Sequence, residues 1–207
     1  MKIRKAAIWM AVLGITVIQA SAFGAGEGYF KFDTFTDNIQ FTDDSAMGMK
    51  GLLGKPFSTP TSSTGVSGGD SDKAVTFDGR GALVVDDSAA KALNVLQPPI
   101  TVECWVRTSV EQAVGHFGFV SYGIPGGQPG GGGYKLGIRD GNLLFTLFAV
   151  VDVRTDVPFP FDGAWHHVAA VYSVDGGGVT FYMDGVEVAF VAETQAVKEP
   201  TAYELDI

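Results

Sequence analysis

The sequence predicts an all-β protein built as a two-sheet antiparallel jelly-roll sandwich. Short apolar runs alternate with polar residues along most of the chain, which also contains 28 glycines and 12% aromatic residues. Asp-Gly and Gly-rich turns separate these runs, and no long stretch combines a 3.6-residue period with helix caps. Many short strands joined by tight turns, without helices, are typical of a sandwich or jelly roll.

The first 22 residues have the features of a secretory signal peptide. Three basic residues precede an apolar run over residues 6–18, and Ala20-Ser21-Ala22 offers a small-x-small cleavage pattern. The alternative is a transmembrane anchor, but this run is shorter than the roughly 20 residues that a membrane span requires. We therefore expect cleavage after Ala22, a mature domain over residues 23–207, a secreted or cell-surface location, and no membrane insertion after cleavage.

The charge balance argues against a nucleic-acid partner. Without Lys2, Arg4 and Lys5, the 14 basic residues fall to 11 against 23 acidic residues, a net charge of −12. The mature chain has no Lys/Arg cluster that would neutralise a phosphate backbone. Cys104 is the only cysteine, so no disulfide can form within the chain. We expect Cys104 to be a buried apolar residue of a strand rather than a reactive thiol.

Alternating segments predict strands from residue 28 onward. Asp140-Gly141 and Asp184-Gly185 are predicted hairpin turns, because glycine tolerates the positive φ that such turns require. Two stretches rich in small residues, 59–71 and 123–133, are predicted loops. The predicted strands are 28–33, 74–77, 82–85, 100–107, 134–138, 143–150, 165–173, 179–183 and 186–191.

Several motifs occur in a recognisable order. They are Tyr-Phe-Lys-Phe-Asp at 29–33, an Asp-Asp-Ser to Gly-Leu loop at 43–52, Ala-Val-Thr-Phe-Asp-Gly at 74–79, Ile-Thr-Val-Glu-Cys-Trp-Val at 100–106, and a pair at 162–169 and 179–185. Together they resemble the laminin-G-like jelly-roll family of concanavalin A-like sandwiches. Family members typically continue into a Gly-x-Ile-Asp-Glu-Val-Arg strand that is absent here. We therefore expect the C-terminal strand to be missing and the chain to be part of a longer polypeptide.

No pattern of residues predicts a catalytic centre. Glycoside hydrolysis requires two carboxylates flanking the scissile bond, and the predicted outer face of strand 100–107 has only Glu103. His166 and His167 are adjacent, so on a strand they point to opposite faces and do not readily bind one ion. The family resemblance implies an architectural role, with Trp165 at a turn and one histidine inside the sandwich. We expect no enzymatic activity; a divergent polysaccharide-active enzyme is the disfavoured alternative.

Calcium is the candidate cofactor. Asp43, Asp44 and Asp78 are candidate ligands, because the resembled family uses the same turns and calcium takes carboxylate and carbonyl oxygens. The turn after Phe77 lacks the second Asp that the family often has. The alternative is that these carboxylates stabilise their turns through bonds to the backbone.

The strand 100–107 also carries the candidate ligand-binding residues. If its alternate apolar residues face the core, Glu103, Trp105 and Arg107 face outward. We expect Arg139 and Tyr182 to lie on neighbouring strands of the same face, forming a groove with aromatic and polar groups. The alternative is that Trp105 is a core aromatic residue.

These observations favour an extracellular, non-catalytic recognition module. The expected partner is a glycan or an extracellular protein. The alternative is a structural or adhesive spacer of a larger surface protein. The fold by itself does not choose between them.

Overall fold

A computed structural model describes residues 10–19, 27–30, 40–42, 50–54, 61–69, 72–77, 82–85, 96–109, 115–203 and 205–206. These residues form sixteen strands arranged in two antiparallel eight-stranded sheets, which confirms the predicted all-β sandwich. Within the same residues, no helix has the length and apolar character needed to cross a membrane.

Each sheet collects strands from both halves of the chain. In chain order the strands are β1 (Met10–Gln19), β2 (Glu27–Phe30), β3 (Gln40–Thr42), β4 (Lys50–Gly54), β5 (Thr61–Thr64), β6 (Lys73–Phe77), β7 (Ala82–Val85), β8 (Ile100–Arg107), β9 (His116–Ile124), β10 (Gly132–Arg139), β11 (Asn142–Leu147), β12 (Val151–Pro158), β13 (Trp165–Ser173), β14 (Gly178–Met183), β15 (Val186–Ala192) and β16 (Leu205–Asp206). Sheet A has the order β15-β14-β13-β8-β1-β6-β5, with β2 also paired to β1. Sheet B has the order β12-β11-β10-β9-β16-β7-β4-β3.

A line of aromatic rings joins the inner faces of the two sheets. Tyr122, Tyr134 and Phe145 lie side by side on β9, β10 and β11, with ring centroids 5.6 and 5.8 Å apart. Phe145 then meets Tyr172 of β13, in the opposite sheet, at 6.1 Å. All four side chains are fully buried. Burying an apolar ring such as that of Phe145 stabilises the folded state by about 1.5–3 kcal/mol, so this line anchors the core.

The two predicted Asp-Gly hairpin turns are confirmed. Asp140-Gly141 joins β10 to β11 and Asp184-Gly185 joins β14 to β15, with φ of 51° at both aspartates and 85° and 78° at the glycines. Two consecutive residues with positive φ match the right-handed twist of the flanking strands.

The predicted loop at 59–71 is wrong in part. Thr61–Thr64 forms β5, which pairs with β6 in an edge hairpin. The N–H of Gly65 donates to the carbonyl oxygen of Asp72 at 2.8 Å and closes this hairpin. Threonine suits a strand because of its branched Cβ, so the Ser/Thr-rich composition indicated a polar edge strand as well as a loop.

Strand β1 lies inside the segment that the sequence predicts as a signal peptide. Its backbone pairs with eight residues of β8 on one side and three of β6 on the other. Cleavage after Ala22 would therefore remove the strand that joins β8 to the β6–β5 hairpin within sheet A.

We expect a chain comprising residues 23–207 to unfold at a temperature at least about 10 °C lower than residues 10–207, which retain β1. The reason is the loss of a row of backbone hydrogen bonds along β8, each contributing about 1 kcal/mol. Thermal melts followed by circular dichroism measure the difference. Equal melting temperatures would show that β1 contributes nothing to the stability of the sandwich.

Cys104 is buried on β8, as predicted, and is 1% exposed. Burial, reinforced by the neighbouring Glu103 carboxylate, raises the pKa of the Cys104 thiol well above its usual value. We expect a thiol reagent at pH 8 to leave the native protein unlabelled for minutes and to label it fully in urea, because only the thiolate reacts. Rapid labelling of the native protein would contradict the buried position.

Candidate functional site

The outer surface of sheet A carries a group of aromatic and charged side chains, here called the aromatic face. They project outward because β8 alternates buried and partly exposed residues, and β13 and β14 continue the same rows. The aromatic face consists of Glu103, Trp105, Arg107, Trp165, His167, Tyr182 and Phe190.

Neighbouring side chains of the aromatic face contact one another across β8 and β13. The Trp105 and His167 rings have centroids 5.3 Å apart, and His167 Nε2 lies 3.5 Å from Glu103 Oε2. The Arg107 guanidinium lies 4.8 Å from the centre of the Trp165 ring, within cation–π range. These contacts hold the two indole rings in place while leaving both partly exposed.

Small and large side chains alternate in the next row of this surface. Ala169 stands directly between Glu103 on β8 and Tyr182 on β14. The short alanine side chain is almost completely buried between a carboxylate and a phenol. Phe190 of the edge strand β15 is 53% exposed at the border of the same surface.

The structure brings most of the predicted residues together on one surface. Glu103, Trp105 and Arg107 face outward together, and Tyr182 joins them, so Trp105 is not a core residue. Arg139 is the exception, because it lies on β10 of sheet B. The prediction that Arg139 shares this face was wrong, since alternation within one strand does not indicate which sheet the strand joins.

Three residues of the aromatic face were missed as candidate binding residues. The family resemblance implies an architectural role for this segment, but Trp165 and His167 share one side of β13, opposite the buried Val168, and therefore face outward. Phe190 alternates in the same manner along β15. The period of two along these strands was the signal that would have identified all three.

Arg139 belongs to a second surface, on the outer side of sheet B, here called the basic cleft. Ser121, Lys135, Thr146 and Asp152 stand opposite one another in a row across β9 to β12. A cleft of about 390 Å³ opens beside this row. The name basic cleft covers four residues of its lining, His116, Lys135, Thr146 and Asp152, and three residues that adjoin it through ion pairs, Arg139, Asp140 and Arg154.

Asp152 is the centre of an ion-pair network in the basic cleft. One carboxylate oxygen accepts a charged hydrogen bond from Arg139 and lies 3.6 Å from both His116 and Arg154. The other oxygen accepts a 2.9 Å hydrogen bond from Thr146. Burial by itself raises the pKa of Asp152, but the Thr146 hydrogen bond and the neighbouring cations lower it below its usual value. The carboxylate is therefore ionised at neutral pH.

A turn at residues 148–150 forms the apolar wall of the basic cleft. The sequence predicts a continuous strand over 143–150, but β11 ends at Leu147 and Ala149 has φ of 59°. Val150 N–H donates to the Leu147 carbonyl at 3.0 Å, and the backbone of Gly126 packs against Ala149. No glycine or proline marks this turn in the sequence.

His166 connects two turns at one end of the sandwich. Its Nδ1 lies 2.8 Å from Asp184 Oδ2 and its Nε2 lies 3.2 Å from Asp162 Oδ1. Asp184 also accepts a 2.9 Å hydrogen bond from the N–H of His167. Burial lowers the pKa of His166, but the hydrogen bonds and charges of both carboxylates raise it above its usual value overall. This arrangement supports an architectural role for His166.

The calcium ligands expected from the sequence are not tested by the structure. Asp43, Asp44 and Asp78 lie outside the described residues. Among the residues that are described, no group of three or more His, Cys, Asp or Glu side chains is placed to hold a metal ion.

Comparison with known families gives one match. Residues 77–207 match a laminin G family model described as the concanavalin A-like lectin/glucanases superfamily. The match covers more than half of the chain and includes all of β8 to β16. No curated protein matches the chain.

We expect the stability lost in His166→Gln to be greatest below about pH 6.5 and to shrink as the pH rises through the elevated pKa of His166. A pKa raised in the folded state means that protonation stabilises folding at low pH, and this contribution disappears once the folded protein also loses the proton. Urea unfolding at pH 5.5 and pH 8.5 measures the difference.

His116→Gln is the matched control, with the opposite expected trend. Burial and the charges of Lys135 and Arg139 lower the pKa of His116, so the wild type loses stability as the pH falls, and the variant is spared that loss. The same pH trend in both variants would contradict the role given to the two aspartates around His166.

Proposed function

The chain belongs to the concanavalin A-like lectin/glucanases superfamily, and we propose that it is a secreted, non-catalytic module that recognises carbohydrate. The observation that carries this proposal is the aromatic face. Trp105 and Tyr182 offer flat apolar surfaces on this face, and Glu103, two residues from Trp105 and across Ala169 from Tyr182, supplies a hydrogen-bond acceptor. An apolar platform with a few fixed polar groups is the arrangement that binds a sugar ring.

The proposal also states that the protein is exported and that the ligand of the aromatic face is neutral or weakly charged. The basic start, apolar run and Ala-Ser-Ala pattern of residues 1–22 support secretion or display at the cell surface. A formal net charge of −9 disfavours nucleic acid as a long-range partner. A glycan at the outside of the cell fits both features, and an extracellular protein is the other class of partner.

The positions of the carboxylates support a non-catalytic role. On the aromatic face, Glu103 and Glu187 occupy the same row but lie three strand spacings apart, about 14 Å. Glycosidases place their two carboxyl groups about 5–9.5 Å apart. In the basic cleft, Asp140 and Asp152 both contact Arg139, but both have a lowered pKa, whereas a general acid needs a raised one.

A spacer without a ligand is the second candidate. The observation in its favour is that Glu103 and Arg107 already have partners within the aromatic face, namely His167 and Trp165. Such contacts also occur when a binding surface is organised in advance, which reduces the entropy lost on binding. Measurement of binding distinguishes the two functions.

We expect Trp105→Ala to reduce the affinity for a retained neutral polysaccharide by about tenfold or more, since an aromatic anchor commonly dominates binding energy. A panel of insoluble and soluble polysaccharides, tested by pull-down and affinity electrophoresis, first identifies the polysaccharide that is retained. The variant is then compared with the wild type on that polysaccharide, and a thermal melt checks its fold.

Val174→Ala, at an exposed position in the turn between β13 and β14, is the control and should bind as the wild type does. Failure of every polysaccharide to bind the wild type, or equal binding by Trp105→Ala, would favour the spacer. New reducing ends released from a polysaccharide, and lost in Glu103→Gln, would establish an enzyme instead.

A further inference from the structure

The basic cleft is a cationic site on an acidic protein. Lys135, Arg139 and Arg154 contribute three positive charges, and Asp140 and Asp152 contribute two negative charges. The local balance is therefore positive even with His116 neutral, whereas the whole chain has a net charge of −9. Charge of one sign gathered in a concave surface raises the local concentration of a ligand of the other sign.

The carboxylates of Asp140 and Asp152 are paired more closely with the two arginines than with Lys135. Arg139 lies between them, bonded to Asp152 and 3.6 Å from Asp140, and Arg154 is 3.6 Å from Asp152. Lys135 lines the cleft as well; among the described residues it forms no direct ion pair, and the Asp152 carboxylate acts on its charge from a longer distance. Three cations therefore share two carboxylates, and Lys135 is the cation that is least closely paired.

Lys135 lies on the outer side of sheet B and lines the cleft. The side chain is half-buried, and its stem lies against Gly118, where a β-carbon would come within 3.0 Å of Lys135 Cδ. Burial is the main cause of a lowered pKa for Lys135, and an anion bound there would offset that cost. A glycine at position 118 gives the lysine stem a place to lie along the sheet.

The other wall of the cleft suits the apolar side of a small ring. Pro125 and the turn at residues 148–150 belong to the lining, and Thr146 and Asp152 contribute oxygen atoms to it. The volume of about 390 Å³ lies at the small end of the range for ligand sites. A ring of one or two sugar units with an acid group matches this combination of size, apolar wall and excess positive charge.

We infer that the basic cleft binds the acid group of an anionic saccharide, a uronate or a sulfated sugar, with Lys135 as its principal contact. Arg154 provides a second charge at the rim, being more than half exposed. This site is on sheet B and the aromatic face is on sheet A, so the inference goes beyond the proposed function and does not depend on it.

The test is calorimetric titration of the full 207-residue chain with three oligosaccharides of equal length: an oligouronate, a sulfated oligosaccharide and a neutral oligoglucoside. We expect one of the two anionic oligosaccharides to bind more tightly than the neutral one and to weaken as salt is raised, because the contact is ionic. Whichever anionic oligosaccharide binds identifies the acid group as carboxylate or sulfate.

Lys135→Met keeps the apolar stem and removes the charge. We expect the affinity to fall about tenfold or more, because the variant loses one charged hydrogen bond to the ligand. Lys198→Met, at an exposed lysine outside the cleft lining, is the matched control and should leave the affinity unchanged. If Lys135→Met does not fold in a thermal melt, Arg154→Gln at the exposed rim replaces it, with a smaller expected loss.

Three results would overturn the inference. One is the absence of binding by both anionic oligosaccharides, and another is equal binding of the neutral one. The third is unchanged affinity in the cleft variant that folds. An oligoglutamate peptide titrated in parallel separates a saccharide site from an acidic-peptide site, and tighter binding of the peptide would assign the cleft to a protein partner instead. Trp105→Ala should leave the anionic titration unaffected, so the failure of one proposal is distinguishable from the failure of the other.

Discussion

The packing of one aromatic line between two sheets is the interaction on which the rest of the structure depends. Tyr122, Tyr134 and Phe145 come from sheet B and Tyr172 from sheet A, and each ring contacts the next. Burying these rings requires every strand that carries them to point the same set of alternate residues inward. A shift of one residue would place the rings in water and the polar residues in the core.

The outer surfaces follow from that constraint. Because the inner positions are fixed, the intervening residues of β8, β13 and β14 all face outward and form the aromatic face. The intervening residues of β9 to β12 form the basic cleft on the opposite side of the sandwich. The core separates the two surfaces, so their charges act independently and a change at one surface leaves the geometry of the other intact.

The segment that forms strand β1 fits two descriptions, a central strand of sheet A and part of an export signal. A central strand flanked on both sides and an export signal both require a short, continuous apolar run, so residues 10–19 satisfy both descriptions. The two roles exclude each other within one molecule, because a cleaved segment cannot pair with β8. If export removes the segment, the backbone of β8 facing β6 needs another strand, since an open edge invites pairing with other chains.

The sequence by itself determined the fold class and most strands of the second half, because a period of two and Asp-Gly turns are local properties of the chain. It also determined that Glu103, Trp105 and Arg107 share one face, since alternation within a single strand needs no partner. Only the tertiary structure decided that Arg139 lies on the other sheet, that Ala149 turns the chain, and that Lys135 shares the Asp152 carboxylate with Arg139 and Arg154. Those outcomes depend on which strands become neighbours, and neighbours far apart in sequence are chosen by packing across the core and not by local pattern.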